Sequence, residues 1–372
     1  MPAAFALLLI AFVLLYAAAQ LVLAARLRVI PPDGARLPEE NLPAVAVLVA
    51  ARNEEANLPR CLAALAALDY PPAPLTVLIA DDGSTDATSR LLAEFVGDRP
   101  TWRVLRITTQ LGAARGKGNA LAQLIAATDA EFLLCCDADI EVPPTWARAL
   151  VAEATRTGAA LVVGTTLIAG RGALAHAQYL DWLRALAVLR VATAHGRMFT
   201  GMGNNQLLRR SAYVATGGYE ALPFSVTEDL QLFQELTRRG YPTAHVYAAG
   251  ALAWSTPAAS GLALVRQRRR WVRGLITGLT PRLAGAATVE VLVFPAVLGL
   301  LLGGWTAWGG VVWGIKMLAP TILLREARRR LGLPPIGAGE IVRHEAYLLA
   351  LALVLPLAAL WPGKVRWKGR EL

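Results

Sequence analysis

Residues 75–86 have the sequence LTVLIADDGSTD, an apolar run that ends in two adjacent aspartates and a turn. Amphipathic helical stretches separate it from further apolar runs of the β-strand type, at Ala44–Ala51, Trp102–Ile107, Glu131–Cys136 and Leu161–Ile168. Nearly continuous apolar strands that alternate with helices are typical of a mostly parallel sheet with both faces covered. The sequence therefore predicts an α/β fold, with Leu75–Ala80 as one of its strands.

Polar clusters follow three of these runs, at Arg52–Glu55, Asp81–Ser84 and Asp137–Asp139. In parallel sheets, ligands bind at this edge, beyond the carboxyl ends of the strands. Because strand side chains alternate, Asp137 and Asp139 can point the same way and share one hard cation, for which Mg²⁺ or Mn²⁺ is suitable. An Asp-x-Asp pair at a strand end is also common turn chemistry, so the pair alone leaves both interpretations open.

The turn after the second strand contains more acids than a helix start needs. Ser84, Thr85 and Asp86 are placed to cap the helix that follows. Capping does not explain Asp81 and Asp82, which at the end of an apolar strand must face a cation, a hydrogen-bond donor or water.

The segment Gly116-Lys117-Gly118-Asn119 opens the predicted helix after the third strand. Backbone N–H groups and an ammonium meet there, which suits contact with a phosphate or a base. The P-loop spacing and the GxGxxG pattern are both missing from the sequence. Neither a P-loop ATPase nor a dinucleotide dehydrogenase is therefore supported.

Two motifs in the second half of the chain each have a structural explanation of their own. Thr227-Glu228-Asp229 begins a predicted helix, and a cap by Thr227 with acids in the first turn would account for it. Gln267-Arg268-Arg269-Arg270-Trp271 lies on an otherwise apolar helix, which is also the pattern of a basic interfacial helix with a Trp anchor.

The composition indicates a membrane protein. Of 372 residues, 55% are apolar and 17% are charged, against about 25% charged in a typical soluble protein. The net charge of +10 would suit nucleic acid, anionic lipid or a phosphorylated substrate. Nucleic acid is disfavoured, because the basic stretch Arg266–Arg273 directly precedes apolar segments. The three cysteines and four histidines show neither disulfide nor zinc spacing, which predicts a reducing compartment for the catalytic part.

Ala3–Ala25 contains no charged side chain. As a helix this run extends about 34 Å, enough to cross a hydrocarbon core of about 30 Å. We predict an uncleaved anchor over residues 1–28 in preference to a signal peptide, because the basic residues Arg26 and Arg28 follow the apolar run. By the positive-inside rule, the chain after Arg28 is cytoplasmic.

Apolar runs return at Val289–Leu302, Thr306–Leu324 and Ala346–Trp361. The first two would be a pair of spans or one long kinked span, and the third, interrupted by Pro356, a full span or a re-entrant or interfacial helix. We therefore predict a catalytic domain at 43–284, with an interfacial helix near 260–280, and a membrane region at 285–372 with two or three apolar helices and a basic tail. The protein would be a multi-pass protein of the cell membrane.

In order and spacing, the motifs resemble those of membrane-bound family 2 glycosyltransferases over Val45–Thr280. They are Ala51–Glu55, Asp81–Asp86, Gly116–Asn119, Cys136–Asp139, Gly217–Tyr219, Thr227–Asp229 and Gln267-x-x-Arg270-Trp271. The resemblance implies a GT-A fold and a nucleoside diphosphate sugar donor, with a UDP-sugar favoured. It also implies inversion at the anomeric carbon and a Mg²⁺ or Mn²⁺ cofactor.

The resemblance further implies which residues form the site. It places the nucleoside and diphosphate of the donor against Glu54, Asp81, Asp82, Lys117 and Asp137. Asp139, helped by Asp137, would hold the metal on the diphosphate. Asp229 would be the base that removes the proton of the acceptor hydroxyl, with Glu228 in support. The diphosphate and the acceptor would also be bound by Gln267, Arg270 and Trp271. The chemistry agrees, because a metal and a guanidinium stabilise the leaving diphosphate while a carboxylate on the opposite side activates the nucleophile.

The leading hypothesis is a hexosyltransferase that acts on a lipid or lipid-linked glycan at the cytoplasmic membrane face. A processive polysaccharide synthase shares the Asp-Asp-x-Asp and Gln-x-x-Arg-Trp motifs, but a secretion channel is expected to need more helices. A nucleotidyltransferase would use the same acids and metal, although it leaves Thr227–Asp229 and Gln267–Trp271 unexplained. A non-catalytic membrane adaptor predicts that the acids can be lost without consequence.

Overall fold

The computed structural model describes residues 1–33, 42–71, 73–97, 99–276, 281–360, 366–367 and 370–371. Its α-helices are α1 Ala3–Val29, α2 Leu58–Ala66, α3 Thr88–Val96, α4 Gly116–Ala126, α5 Trp146–Thr157, α6 Ala173–Ala194, α7 Arg210–Thr216, α8 Gly218–Ala221, α9 Glu228–Arg238, α10 Gly261–Ile276, α11 Pro281–Leu302, α12 Thr306–Arg330 and α13 Ala338–Leu360. Its strands are β1 Val45–Ala51, β2 Leu75–Asp81, β3 Trp102–Arg106, β4 Phe132–Asp137, β5 Ile140–Glu141, β6 Leu161–Val163, β7 Thr165–Ile168, β8 Asn205–Arg209, β9 Thr243–His245, β10 Leu252–Ser255, β11 Arg366–Trp367 and β12 Arg370–Glu371.

These elements form two compact units. The sheet unit contains residues 32–169 and 196–256, and the helical unit contains residues 1–31, 170–195 and 257–360. The helical unit thus includes α6 and α10 together with the long apolar helices. The predicted limits of the catalytic domain at 43–284 stay a prediction, as does the predicted basic tail, most of which lies outside the described residues.

The main sheet of the sheet unit has seven strands in the order β3-β2-β1-β4-β8-β6-β9. Neighbouring strands are parallel except at β8, which runs antiparallel to both β4 and β6. The register pairs Ala51 with Asp81 and Ala50 with Asp137, so β2, β1 and β4 end at the same edge. This confirms the predicted α/β fold with a mostly parallel sheet.

The centre of this sheet is buried because its strands are apolar along their whole length. The five residues of Val45–Val49 are each at most 1% exposed. A fully buried Val or Leu side chain contributes about 1.5–3 kcal/mol. The sheet therefore holds the carboxyl ends of its strands on a rigid core.

The prediction of a single strand over Leu161–Ile168 is wrong, because this segment forms two strands. β6 belongs to the main sheet, whereas β7 pairs with β10 in a second sheet of three strands. The break falls at Gly164, where a Cβ would lie 2.2 Å from Asn205 Oδ1. The apolar pattern continues across the break, so the sequence alone does not reveal it.

Asn205 connects both sheets with helix α5. The side chain is fully buried, and its Oδ1 accepts the indole N–H of Trp146 at 2.8 Å. Its amide nitrogen donates to the carbonyls of Thr165 and Ala251 at 3.0 and 3.1 Å. Because buried amides must be paired, this network fixes the first residue of β8.

Within the described residues, three helices of the helical unit are long and apolar enough to cross a membrane, at Ala3–Val29, Thr306–Arg330 and Ala338–Ala358. The apolar part of α11, Thr288–Leu302, is shorter. The two predicted spans around Gly303 are separate helices, α11 and α12, and not one kinked helix.

The third predicted run, Ala346–Trp361, belongs to α13. This helix already begins at Ala338 and is therefore long enough for a full span. The predicted run did not include the first turns of α13, because these turns contain the charged residues Glu340 and Glu345. Glu345 is nevertheless compatible with a long helix, because it pairs with Lys316 of α12 at 2.6 Å. Trp361 lies outside the described residues.

Candidate active site

The loops that follow β1 and β2 are interlocked by hydrogen bonds. Asn53 adopts a left-handed backbone conformation with φ of 52°, and its Oδ1 accepts the backbone N–H of Thr85 at 2.8 Å. The N–H of Asn53 donates to Ser84 Oγ at 3.2 Å, and that of Glu54 to Thr88 Oγ1 at 2.8 Å. Each loop therefore holds the other at the carboxyl-end edge of the sheet.

This arrangement corrects the predicted helix cap. Helix α3 begins after Ala87, which makes no side-chain capping hydrogen bond. Asp86 does accept the N–H of Thr88 at 2.9 Å, but Ser84 and Thr85 bind the loop after β1. A partner more than thirty residues away in the sequence is invisible to a local capping pattern.

Asp81 and Asp82 are both buried, at 4% and 6% exposure. The carboxylate of Asp81 accepts the N–H of Ser84 at 2.9 Å and the hydroxyl of Ser89. Burial alone would raise the pKa of Asp81, but these hydrogen bonds hold this pKa below its ordinary value. Asp81 therefore organises its loop as a charged acceptor. The predicted contact of Asp81 and Asp82 with a nucleoside stays a prediction.

Three of the predicted donor acids lie along one edge of the sheet. Asp81 and Asp137 end β2 and β4, which flank β1, so two strand spacings of about 10 Å separate them. Glu54 follows β1, and its carboxylate accepts a hydrogen bond from Asn57 Nδ2 at 2.9 Å. The parallel order of the strands thus brings distant acids to one edge.

Lys117 is the cation that connects the predicted donor acids with the predicted acceptor acids. It lies in the first turn of α4, and its Nζ is 2.6 Å from Asp137 Oδ1 and 3.3 Å from Glu228 Oε1. Burial alone would lower the pKa of Lys117, but the carboxylates of Asp137, Glu228 and Asp229 hold this pKa above its ordinary value. These four residues are called the Lys117 cluster below.

Glu228 lies in the first turn of α9, and its side chain is 19% exposed. Its burial raises the pKa of Glu228, with Lys117 opposing the rise and Asp229 adding to it. A Cβ at Gly118 would lie 3.7 Å from the Glu228 Cβ and 3.8 Å from the Tyr219 ring. The aromatic residue of the Gly217–Tyr219 motif therefore packs beside the acid.

Asp229 is held by a tertiary contact with Gly203, whose N–H donates to Asp229 Oδ2 at 2.7 Å. A Cβ at Gly203 would lie 2.9 Å from the Asp229 Cβ and 3.3 Å from Lys117 Nζ. Any larger residue would push these groups apart. The predicted cap by Thr227 is wrong, since this residue makes no side-chain capping hydrogen bond to α9.

Gly203 is the site residue to which the sequence motifs assign no role. The signal was present as two glycines, Gly201 and Gly203, followed by two asparagines. A Cβ at Gly201 would lie 2.8 Å from the Cβ of Phe233. Both glycines therefore serve the close approach of this segment to α9, a requirement that only the folded chain reveals.

Asp137 and Asp139 meet the requirements of a hard-cation site in their donor chemistry. Ala138 between them is 1% exposed, whereas both aspartates are half-buried. Asp139 Oδ2 accepts the hydroxyl of Ser255 at 3.2 Å. In the part of the chain that the structure describes, no group of three or more His, Cys, Asp or Glu side chains is placed to hold a metal. A cation bound here would complete its coordination with ligand or water oxygens.

The remaining predicted site residues lie on α10, in the helical unit: Gln267, Arg270 and Trp271. The Trp271 ring packs edge-on against Trp182, with centroids 5.7 Å apart. The guanidinium of Arg268 lies 4.6 Å from the centroid of the Trp271 ring and 2.5 Å from Asp181. These contacts anchor α10 on α6. Binding of diphosphate and acceptor by the motif stays a prediction.

Two family models match this chain. The model described as Glycosyl transferase family 2 matches residues 46–217, and the model described as Glycosyl transferase family group 2 matches residues 132–361. Together they include the edge of the sheet, the Lys117 cluster and α10.

Among curated proteins, the chain is similar to the beta-monoglucosyldiacylglycerol synthase of Nostoc sp., with 31% identity over 244 residues, 63% of this chain and 49% of that protein. It is also similar to the poly-beta-1,6-N-acetyl-D-glucosamine synthase of Staphylococcus aureus, with 27% identity over 240 residues, 63% of this chain and 55% of that protein. The matched part is thus about half the length of these relatives.

Among solved structures, the chain is similar to the mannosyltransferase PcManGT from Pyrobaculum calidifontis in complex with GDP-Man and Mn²⁺. The TM-score is 0.62 at 18% identity, and the match covers 96% of this chain and 98% of that one. This likeness shows a shared fold.

Proposed function

The chain belongs to the glycosyl transferase family 2 group, and from this membership we propose that it transfers a sugar from a nucleoside diphosphate sugar to a membrane lipid with inversion at the anomeric carbon. The Lys117 cluster carries this proposal. Lys117 Nζ lies 2.6 Å from Asp137, assigned to the donor, and 3.3 Å from Glu228, assigned to the acceptor side. Because the bond to the acceptor forms at the same carbon whose bond to the donor breaks, the residues that serve the donor and those that serve the acceptor must lie close together.

In the proposed reaction, Asp229 is the general base. It takes the proton of the acceptor hydroxyl while that oxygen forms its bond to the anomeric carbon. The bond between this carbon and the phosphate oxygen breaks, and the nucleoside diphosphate leaves with the electron pair. The N–H of Gly203 orients Asp229, and the ammonium of Lys117 limits the repulsion between the acids around it.

On the donor side, Asp137 and Asp139 would hold the divalent cation. When bound, Mg²⁺ or Mn²⁺ supplies charge neutralisation for the leaving diphosphate. The structure of PcManGT contains Mn²⁺ together with GDP-Man, which supports a metal role for the equivalent fold. We assign Glu54 and Asp82 to the nucleoside, with Asp81 shaping the loop that presents them.

We propose a lipid acceptor for two reasons. Three helices of the described chain are long and apolar enough to cross a membrane, and relatives with 31% identity are named beta-monoglucosyldiacylglycerol synthases. The similarity to a poly-beta-1,6-N-acetyl-D-glucosamine synthase makes a processive synthase the second candidate. The small number of long apolar helices within the described residues favours transfer of single sugars.

The proposed orientation places the sheet unit in the cytoplasm, where nucleoside diphosphate sugars are made. Basic residues follow the apolar part of α1 and end α12, as the positive-inside rule requires of cytoplasmic ends. A reporter fused after Gly240 should show a cytoplasmic signal. A periplasmic signal would contradict both the orientation and the donor supply.

Turnover by the full-length protein in lipid nanodiscs tests the proposed function. A panel of UDP-, GDP- and dTDP-sugars is supplied with diacylglycerol or phospholipid, and nucleoside diphosphate release and lipid products are measured. We expect release that depends on one lipid class and a product with one added sugar. Polymeric products would favour the synthase, and the absence of any lipid product with every donor would contradict the proposal.

A further inference from the structure

The helical unit contains a cavity of about 150 Å³ among its apolar helices. Five helices supply its walls, namely α1, α6, α11, α12 and α13, and the polar residues of its lining are Tyr16, Arg184, Glu290 and Lys316. Charged side chains within apolar helices are costly in a bilayer and mark functional sites. The mechanism of sugar transfer uses none of these four residues.

The charges around this cavity are balanced in pairs. The Arg184 guanidinium donates to both carboxylate oxygens of Glu290 at 2.7 and 3.1 Å. Lys316 Nζ donates to both oxygens of Glu345 at 2.6 and 2.7 Å. These two ion pairs are called the paired charges below. Because each cation has its own anion, the cavity has no net charge to attract a phosphate or an ammonium group, and an uncharged ligand fits it better.

Three prolines weaken the helical hydrogen bonding of the cavity wall. Pro295, Pro320 and Pro356 lie inside α11, α12 and α13. A proline has no N–H, so the carbonyl four residues before it loses its helical donor. Those carbonyls belong to cavity-lining residues in all three helices: Val291, Lys316 and Ala352. In a bilayer such carbonyls need a partner from elsewhere.

The cavity also offers a hydrogen-bond donor. Arg184 Nε is buried and has no hydrogen-bond partner among the described residues. A ligand that satisfies this donor and the carbonyls must both accept and donate hydrogen bonds, as a hydroxyl group does. A cavity of this volume holds about six heavy atoms, as the benzene complex of a similar cavity illustrates, which is the size of glycerol.

The cavity is accessible from the apolar surface of the helices. Val291 on α11 is 44% exposed, and Pro356 on α13 is exposed as well. Both residues line the cavity. A ligand with a polar head inside the cavity can therefore keep its apolar chains against α11, beside Val291, in the hydrocarbon layer.

We propose that this cavity binds the polar head of an uncharged, hydroxyl-bearing glycerolipid. Its hydroxyl groups donate to the carbonyls freed by the prolines and accept from Arg184 Nε, and its acyl chains lie along the outer surface of α11. Binding requires no nucleoside diphosphate sugar, so its test is independent of the proposed sugar transfer.

Competitive photolabelling of the full-length protein in nanodiscs tests this site. The probe is a photoactivatable diacylglycerol, and unlabelled dioleoylglycerol and dioleoylphosphatidic acid, which differ by the phosphate, are the competitors. Mass spectrometry identifies the labelled peptides. We expect saturable labelling of α11 and α13 that dioleoylglycerol reduces and phosphatidic acid does not.

Two pairs of variants locate the lipid. Ala352→Phe fills the cavity and should abolish saturable labelling, whereas Leu353→Phe, on the exposed next position of the same helix, should leave it unchanged. Pro356→Ala returns an N–H to the carbonyl of Ala352 and should weaken dioleoylglycerol competition about fivefold, the effect of one lost hydrogen bond. Leu357→Ala, at an exposed position, is its control.

The outcomes separate three possibilities. Equal labelling of Ala352→Phe and Leu353→Phe would show that no lipid occupies the cavity. Equal competition by phosphatidic acid would overturn the uncharged headgroup. If Ala352→Phe unfolds in a thermal assay, the comparison of Pro356→Ala with Leu357→Ala decides alone, and equal competition in both would overturn the proposal.

Discussion

The Lys117 cluster of the sheet unit and the paired charges of the helical unit are both partly buried groups of acids and bases, but their charge balance differs. In the Lys117 cluster, one ammonium faces three carboxylates. In the paired charges, each cation has one carboxylate at 2.6 to 2.7 Å. A surplus of carboxylates can bind a cation, a proton or both, whereas in the paired charges every charge is already neutralised by its partner. Charge surplus, more than burial, therefore distinguishes the candidate catalytic site.

The largest expected effect concerns the surplus acid that we assign as the base. Asp229→Asn keeps the size of the side chain and an oxygen for the N–H of Gly203. Sugar transfer should fall about 10²–10⁴-fold, the usual contribution of a general base, while the thermal unfolding temperature and nucleotide-sugar binding stay near those of the wild type.

The control for this change is Glu235→Gln on the same helix, an acid that pairs with Arg238 and Arg239 outside the cluster. It should leave the transfer rate within a few-fold. Transfer by Asp229→Asn at that same level would remove the base assignment, and loss of donor binding in Asp229→Asn would assign the acid to the donor side.

The second effect tests whether the excess carboxylates bind a divalent cation. Excess EDTA should stop turnover, Mn²⁺ or Mg²⁺ should restore it, and Asp139→Ala should lower it about 10²–10³-fold without rescue by added metal. Asp129→Ala, a fully exposed acid before β4, is the matched control. Undiminished turnover in EDTA would leave Asp137 and Asp139 with a structural role only.

The third effect tests whether Lys117 offsets the repulsion between the carboxylates. Lys117→Met should lower the free energy of unfolding at pH 8 by about 2 kcal/mol, less than the roughly 3–5 kcal/mol of a fully buried pair, because the side chain is 16% exposed. Thermal unfolding at pH 5 to 8 measures this, with the exposed ion-pair variant Arg90→Met as control.

The pH dependence of this third effect has a definite sign. In the folded protein, burial raises the pKa of Glu228, so protonation of this residue stabilises the fold, and the stabilisation is lost as the pH rises through the folded pKa. Without Lys117, the pKa of Glu228 rises further. The stability deficit of Lys117→Met should therefore shrink as the pH falls from 8 to 5, and a deficit independent of pH would contradict the electrostatic account.

Much of the sheet unit was predictable because its signals are local. Apolar runs located β1, β2 and β4, and the positions of Asp81 and Asp137 at their ends followed from the sequence. The split of Leu161–Ile168 was not predictable, because it depends on Asn205, which approaches Gly164 only after folding. Element type thus follows from local pattern, and strand partnership does not.

The candidate site divides in the same way. The acids of the Lys117 cluster were predicted from their motifs, but the position of Lys117 between Asp137 and Glu228 was not. The contact of Gly203 with Asp229 was likewise not predicted, since a backbone N–H has no sequence signature. In the helical unit, the predicted run Ala346–Trp361 began only after Glu345, because the pairing of Glu345 with Lys316 was unknown.

The smallest expected effect is that of removing both members of one ion pair of the paired charges together. Lys316→Met alone leaves Glu345 buried without its cation and should cost about 3–5 kcal/mol of unfolding free energy, while Lys316→Met combined with Glu345→Gln removes both charges and should cost about 1 kcal/mol or less. The glutamine oxygen still accepts the indole N–H of Trp313, now 2.8 Å from Glu345. Thermal unfolding in detergent gives both values, and the analogous double change of Lys117 and Asp137 should not recover activity. If the double variant of the paired charges is as unstable as Lys316→Met alone, the ion pair holds the helices together by itself and the contrast with the Lys117 cluster is wrong.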